Sequence, residues 1–279
     1  MRLLFLILVL IQSLFALNYE ISSNKIANGK TALLQFKHNI NRAYENVELL
    51  GWKFKVFDNR VLLPISYYAK PKKVVAIVHY RDYGKEKTQT INLEVIDGGY
   101  AKEKIQVQKS KVQLSKKDKK RAAKEYKEAN EIYTTISEKN YLKSKFIMPL
   151  HSKITSLFGK ARVYNNTLKG YHSGTDFRAK VGTPLVATND GVVVLVKDRF
   201  YSGGSVIIDH GQGVYSCYYH MSKFDVRVGE HVKKNQRIGL SGVSGRVTGP
   251  HLHFSARVGG IQVDPLQLID LLNKNILKD

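Results

Sequence analysis

Seven of the nine histidines follow residue 150, and four of those lie with one aspartate in three short motifs. The first is His172-Ser173-Gly174-Thr175-Asp176. Imidazole nitrogen and carboxylate oxygen are zinc ligands, and a catalytic zinc keeps three protein ligands and an open position. An HxxxD spacing can bring both side chains to one ion on a helical turn or in a tight loop. Gly174 inside the motif and Gly182-Thr183-Pro184 after it favour loop and strand. The second motif is Gly249-Pro250-His251-Leu252-His253-Phe254. In a strand, residues i and i+2 project from one face roughly 7 Å apart, so both imidazoles enter one cavity while Leu252 and Phe254 face away. The third, Tyr218-Tyr219-His220-Met221-Ser222, ends a strand. If that strand is regular, Ser216, Tyr218 and His220 share a face opposite Tyr215, Cys217 and Tyr219. Together the motifs offer more groups than a four-coordinate zinc needs. The chain has no HExxH glutamate to serve as general base, so a histidine must do that work.

The remaining candidates carry weaker signals. His38 and His79 are isolated, and His151 and His231 read as surface residues. Cys217 reads as a small buried hydrophobe, its strand face being opposite that of His220. Tyr164, Tyr171, Tyr215 and Tyr218 are candidates for lining a substrate groove.

Three kinds of element must position these groups. From about residue 19 to 108, short alternating stretches recur: 32–36, 52–57, 74–78 and 90–95, with turn formers at Asn28-Gly29, Asp58-Asn59, Pro71 and Asp97-Gly98-Gly99. They predict an N-terminal immunoglobulin-like β-sandwich over 17–110. From Ser115 the period changes: Ala122, Tyr126, Ala129, Tyr133 and Ile136 recur every three or four residues, and Ser115 with Asp118 forms a cap. This predicts a connecting helix of about six turns within 111–145. After Pro149, strands at 192–196, 205–209 and 214–220 with glycine turns predict a compact antiparallel β domain over 146–279, ending in a short helix at 266–272. The fold class is therefore mainly β.

The N-terminus reads as an export signal, with Met1-Arg2, an apolar run from Leu3 to Leu14 and cleavage after Ala16; a retained anchor is the alternative. A single cysteine, Cys217, excludes an internal disulfide, so the core must carry stability. Lysine plus arginine number 45 against 23 aspartate plus glutamate, a formal charge of +22. Such a field favours a polyanionic partner. Export moves nucleic acid far down that list, leaving anionic lipid or cell-wall polymer. The run Lys116-Lys117-Asp118-Lys119-Lys120-Arg121 reads as a solvated helix face.

HxxxD, a strand-end histidine and HxH in that order resemble the LytM/lysostaphin-type zinc endopeptidases of bacterial cell walls. The likeness extends to Tyr171 through Ala179, to Gly182-Thr183-Pro184-Leu185-Val186-Ala187, to Ile208-Asp209-His210-Gly211 and to Thr248 through Phe254. It covers about residues 146–266, and the preceding sandwich and helix resemble Gram-negative members. The resemblance implies Zn2+ held by His172, Asp176 and His253, with His251 and His220 as the catalytic pair. Which of the two is the base stays open. It also implies a structural role for His210 and suggests that Asn165 or Asn166 could approach the metal. The function it implies is a periplasmic peptidoglycan hydrolase, a DD-endopeptidase active in wall remodelling. The expected partners are peptidoglycan, a membrane only if the signal segment is retained, and a periplasmic regulatory protein. Murein carboxypeptidase action, cleavage of glycine-rich bridges, a non-catalytic activating module and a host-directed protease are the alternatives.

Overall fold

The computed structural model describes residues 17–107, 110, 112–166 and 168–277; the expected export signal, 1–16, lies outside the described residues. The chain divides into two compact units. One holds the residues up to Ile26 with Ala32–Leu63 and Lys70–Ile96; the other holds Ala27–Thr31, Pro64–Ala69 and Asp97–Asp279.

The first unit is built from eight strands, β1 (Tyr19–Ile21), β2 (Lys25–Ala27), β3 (Thr31–Phe36), β4 (Arg42–Leu49), β5 (Trp52–Lys55), β6 (Arg60–Pro64), β7 (Lys72–Asp82) and β8 (Lys85–Ile96). They form a three-stranded sheet, β1-β3-β6, and a five-stranded sheet, β2-β8-β7-β4-β5. Alternation decides which face is inside: Ile91, Leu93 and Val95 of β8 are buried, and the residues between them are not. Phe36 of one sheet stacks on Tyr44 of the other with ring centroids 4.0 Å apart. The β7–β8 hairpin closes on Tyr83 and Gly84, with φ of 49° and 76°. Two left-handed residues are what a two-residue hairpin loop of matching twist requires. The N-terminal part is thus a β domain of two sheets.

The second unit begins with β9 (Lys102–Ile105) and α1 (Lys116–Thr134). Then follow β10 (Ile154–Ser156), β11 (Ala161–Tyr164), β12 (Leu168–Tyr171), β13 (Thr175–Arg178), β14 (Pro184–Val186), β15 (Gly191–Arg199) and β16 (Gly203–Asp209). It ends with β17 (Val214–Phe224), β18 (His231–Val232), β19 (Arg237–Ser241), β20 (His251–Val258), β21 (Ile261–Val263) and α2 (Pro265–Asn275). Ten of these strands make one sheet along the path β10-β13-β20-β17-β16-β15-β18, with β19 on β17, β14 on β19 and β21 on β20. A second, small sheet has the order β12-β11-β9, in which β9 joins β11 in parallel.

Helix α1 starts where the cap requires: the Ser115 hydroxyl accepts from the Asp118 amide at 3.1 Å. It spans 19 residues, about five turns, and Ile136 lies beyond its end. Its inward stripe also differs from the expected one. Glu125, Ala129 and Tyr133 are buried while Tyr126 is 69% exposed. The physical reason is Glu125, a carboxylate where an apolar residue would be expected. It accepts from the Phe200 amide at 2.8 Å and from Arg121 at 2.7 Å, so its burial is compensated. Ala129 and Tyr133 pack against Leu195, Ile207, Tyr215, Cys217 and Tyr219 of the large sheet. Helix α2 is capped by Asp264, which accepts from the Leu266 and Gln267 amides, and opens with Pro265.

Candidate metal centre and active site

Asp176 and His253 are direct partners across the β13–β20 ladder, so their side chains leave the sheet on one face. His172 comes from the segment between β12 and β13. His172 Nε2 lies 2.9 Å from Asp176 Oδ1 and 3.1 Å from His253 Nδ1, and the last two atoms are 2.8 Å apart. Donor atoms of a tetrahedral zinc at about 2.05 Å would lie about 3.3 Å from one another, so this triangle already has metal-site dimensions. All three residues are buried. The His172 ring is oriented from behind, its Nδ1 donating to the Leu157 carbonyl at 2.7 Å, which leaves the Nε2 lone pair for the centre. Gly174 permits this closeness. A Cβ there would sit 2.3 Å from the Phe254 carbonyl oxygen and 2.6 Å from His253 Nε2. The donor set, two imidazoles and one carboxylate, fits zinc.

Burial alone would raise the Asp176 carboxyl, but the adjacent His172 and His253 imidazoles hold it well below the usual carboxylate range. Burial pushes the His253 imidazole down to about 4 against the opposing pull of Asp176, so it is neutral and ready to ligate near pH 7. Asp176 Oδ2 faces Arg162, 3.5 Å away, and Arg162 is itself held by Glu103 of β9 at 3.0 Å and by Ser156 at 3.2 Å.

His251 and His253 share one face of β20, whereas Leu252 pairs with Phe177, and Phe254 packs on Tyr218, on the other. His220 reaches the same cleft by a route that regular alternation does not provide. Val206 pairs with Tyr218 and Gly204 with Met221, so Tyr219 and His220 together stand opposite Ser205 alone. This bulge carries a left-handed His220, φ 63°. It resets the alternation and corrects the expected face: His220 leaves Tyr218 and joins Tyr219 on the side of His253. The His220 and His251 rings are 4.8 Å apart, and Tyr219 stacks on His253 at 5.6 Å. Each of the two histidines has its Nδ1 against a backbone carbonyl, Ser244 for His220 and Gly249 for His251, both at 2.8 Å. The carbonyls demand a proton at Nδ1, so in the neutral tautomer of either ring Nε2 is the acceptor. Burial, reinforced by His253 and His251, pushes the His220 pKa well below its ordinary value.

The other candidates fall elsewhere. Tyr215 and Tyr218 are buried in the core, the first bonded to the Thr135 carbonyl and the second to the Thr188 amide, so neither lines a groove. Tyr171 stacks on Tyr67 at 3.9 Å, both within the second unit. Asn165 is engaged at both ends of its amide with the Val107 backbone at 2.9 Å, which takes it away from the metal centre. Asn166 is an exposed turn residue with φ 61°. His210 is buried between the Asp190 carbonyl and the Ser216 hydroxyl, and burial lowers its pKa to about 4. His38, His151 and His231 are exposed, and His79 lies beside Glu48 in the first unit. Cys217 shares the face of Tyr219, as expected, and the bulge brings His220 to that face, not the opposite one; the cysteine is covered by Tyr133 of α1 and its thiol is pushed up by burial. Sequence reasoning missed Arg162 and Glu103, which sit far from the ligands in the chain and carry no motif.

A buried His-Asp-His triangle flanked by two histidines on an antiparallel sheet defines a metallopeptidase-type centre. Residues 170–265 match the family described as Peptidase family M23. The chain resembles this family, one of zinc metallopeptidases, over about a third of its length. It is 43% identical over 122 residues to the peptidoglycan DD-endopeptidase ShyA of Vibrio cholerae, a match covering 43% of this chain and 28% of that protein. It is 40% identical over 97 residues to the DD-carboxypeptidase/endopeptidase Mpg of Neisseria meningitidis serogroup B, covering 35% of this chain and 22% of Mpg. The chain thus spans under a third of the length of these curated relatives. A crystal structure described as a peptidase M23 from Pseudomonas aeruginosa superimposes with a TM-score of 0.67 at 24% identity, covering 87% of this chain and 94% of that one. The likeness is one of fold.

Proposed function

We propose that the protein is a zinc-dependent peptidoglycan DD-endopeptidase acting outside the cytoplasm, in the periplasm. The observation that carries the reading is the complete centre: three candidate ligand atoms within about 3 Å of one another, with two further imidazoles at the same cleft. The names of the relatives, peptidoglycan endopeptidases among them, support the substrate class and an extracytoplasmic place of work. The domain division we propose is a leader over 1–16, a sandwich over 17–110, a helical connection over 111–145 and a peptidase domain over 146–279.

His172, Asp176 and His253 would hold the zinc. When bound, zinc supplies Lewis acidity, polarising the scissile carbonyl and acidifying water at the site. The protein residues supply proton handling and orientation. His251, 17% exposed at its side chain, lies with Nε2 3.6 Å from Asp176 Oδ1 and so stands over the centre. His220 resists protonation in its buried place, which makes it an acceptor that orients the attacking water. His251 is then the base that takes the proton and returns it to the leaving amine.

Digestion of defined cross-linked muropeptides, read by mass spectrometry, tests this. Zinc-loaded protein should split dimers into monomers. His253→Ala should lose zinc and activity together, by a factor of 10³ or more, and His251→Ala should lose activity by 10²-fold or more while keeping its zinc. Uncut dimers overturn the endopeptidase reading, and release of a single terminal D-alanine would make the protein a carboxypeptidase.

A further inference from the structure

Most arginines of the second unit have protein acceptors. Arg162 bonds Glu103 and Ser156, Arg257 bonds Gly260 and Gln262, and Arg199 bonds the Glu125 carbonyl. Arg178 is exposed and free to hydrate. Arg246 differs from all of these. It is half-buried, and no group among the described residues accepts from its guanidinium. The guanidinium lies against two rings instead, 4.3 Å from the Tyr164 centroid and 4.5 Å from that of Tyr201.

The position is tied to the centre from both sides. Tyr164 is two residues from Arg162 on β11, so both side chains leave one face of that strand, and Arg162 reaches Asp176. Arg246 belongs to the segment between β19 and β20. Within that segment the Ser244 and Gly249 carbonyls take the Nδ1–H groups of His220 and His251. Its own amide donates to the Tyr201 carbonyl at 2.8 Å. The segment that orients both histidines therefore also presents this cation.

Two rings packed against a guanidinium hold it by cation–π attraction and leave its planar N–H edge to a polar partner. That edge is a rigid two-pronged donor matched to a carboxylate, and stacking has already removed the rotamer freedom that binding would otherwise cost. We propose that Arg246 binds a free carboxylate of the substrate peptide and makes the cleft selective for acidic peptides. The proposal rests on the endopeptidase reading for the identity of its substrate.

Two peptides separate the possibilities: a cross-linked stem peptide with free carboxylates, and the same peptide with those groups converted to carboxamides. Wild type should favour the acidic form about tenfold in KM, the size expected of one charge-assisted hydrogen-bonded pair. In R246Q that preference should fall to about one, and R246K, which keeps the charge without the fork, should lie between. Zinc content reports that the variants are folded. A preference retained in R246Q overturns the proposal, as does an equal loss on both peptides, the signature of a structural role. Calorimetry with the corresponding uncross-linked peptides gives the same comparison without turnover. Equal affinity of wild type for acidic and amidated forms overturns the proposal even where cross-links are cut. An acidic preference lost in R246Q sustains it even if no cross-link is cut, in which case the endopeptidase reading alone fails.

Discussion

Asp176 has two carboxylate oxygens with different partners. Oδ1 meets His172 and His253, and Oδ2 faces Arg162, which Glu103 and Ser156 brace in turn. A ligand held from behind in this way is pre-positioned, and losing such support typically costs 10–100-fold in metal affinity. Arg162→Met should therefore weaken zinc binding by about that factor, measured by competition with a chromogenic chelator, with the circular dichroism spectrum intact. Unchanged affinity would show that the ladder alone positions Asp176. The meeting of His172, Asp176 and His253 was legible in sequence because HxH follows strand periodicity and HxxxD brackets a glycine loop. The His220 face was not, because one left-handed residue reverses alternation and nothing in Tyr219-His220-Met221 announces it. Nor was the bracing pair legible, since Arg162 and Glu103 meet across 59 residues of chain.

At the scale of elements, α1 joins the large sheet of the second unit. Its Tyr133 is 2% exposed, packs edge-on to Tyr215 and meets the Tyr219 hydroxyl at 2.9 Å, and Tyr219 in turn stacks on His253. Truncating a buried ring of this kind costs about 3–5 kcal/mol through lost burial and the cavity left behind. Tyr133→Ala should destabilise the protein by that amount in urea unfolding, while Tyr126→Ala, on the exposed face, should stay within about 0.5 kcal/mol. Equal effects would mean that Tyr126 is packed as Tyr133 is. Periodicity placed Ala129 and Tyr133 inward together with Tyr126, and the error at Tyr126 is instructive. Hydropathy counts Glu125 as outward, but a carboxylate with an amide and a guanidinium to receive is cheaper to bury than an unsatisfied one. The strands were easier to read, because alternation in β8 and unbroken apolar runs in β16 directly record one-sided and two-sided burial.

For the molecule as a whole, the formal charge of +22 acts at longer range than any single contact. A cell-wall polymer rich in carboxylates would feel that field as a general attraction, and the cleft would then choose the bond. The two contributions have different salt dependence. The screening length falls from about 10 Å at 0.1 M salt to about 3 Å at 1 M, so attraction among exposed charges fades. The half-buried, stacked Arg246 is shielded from most of that screening. Co-sedimentation with isolated murein should therefore weaken at least tenfold between 0.1 and 1 M sodium chloride, whereas KM for a small soluble cross-linked peptide should change by no more than about threefold. Salt-insensitive sedimentation would place recognition of the polymer in the cleft alone. A parallel collapse of both measurements would mean that the long-range field, and not a positioned guanidinium, draws the substrate carboxylate in.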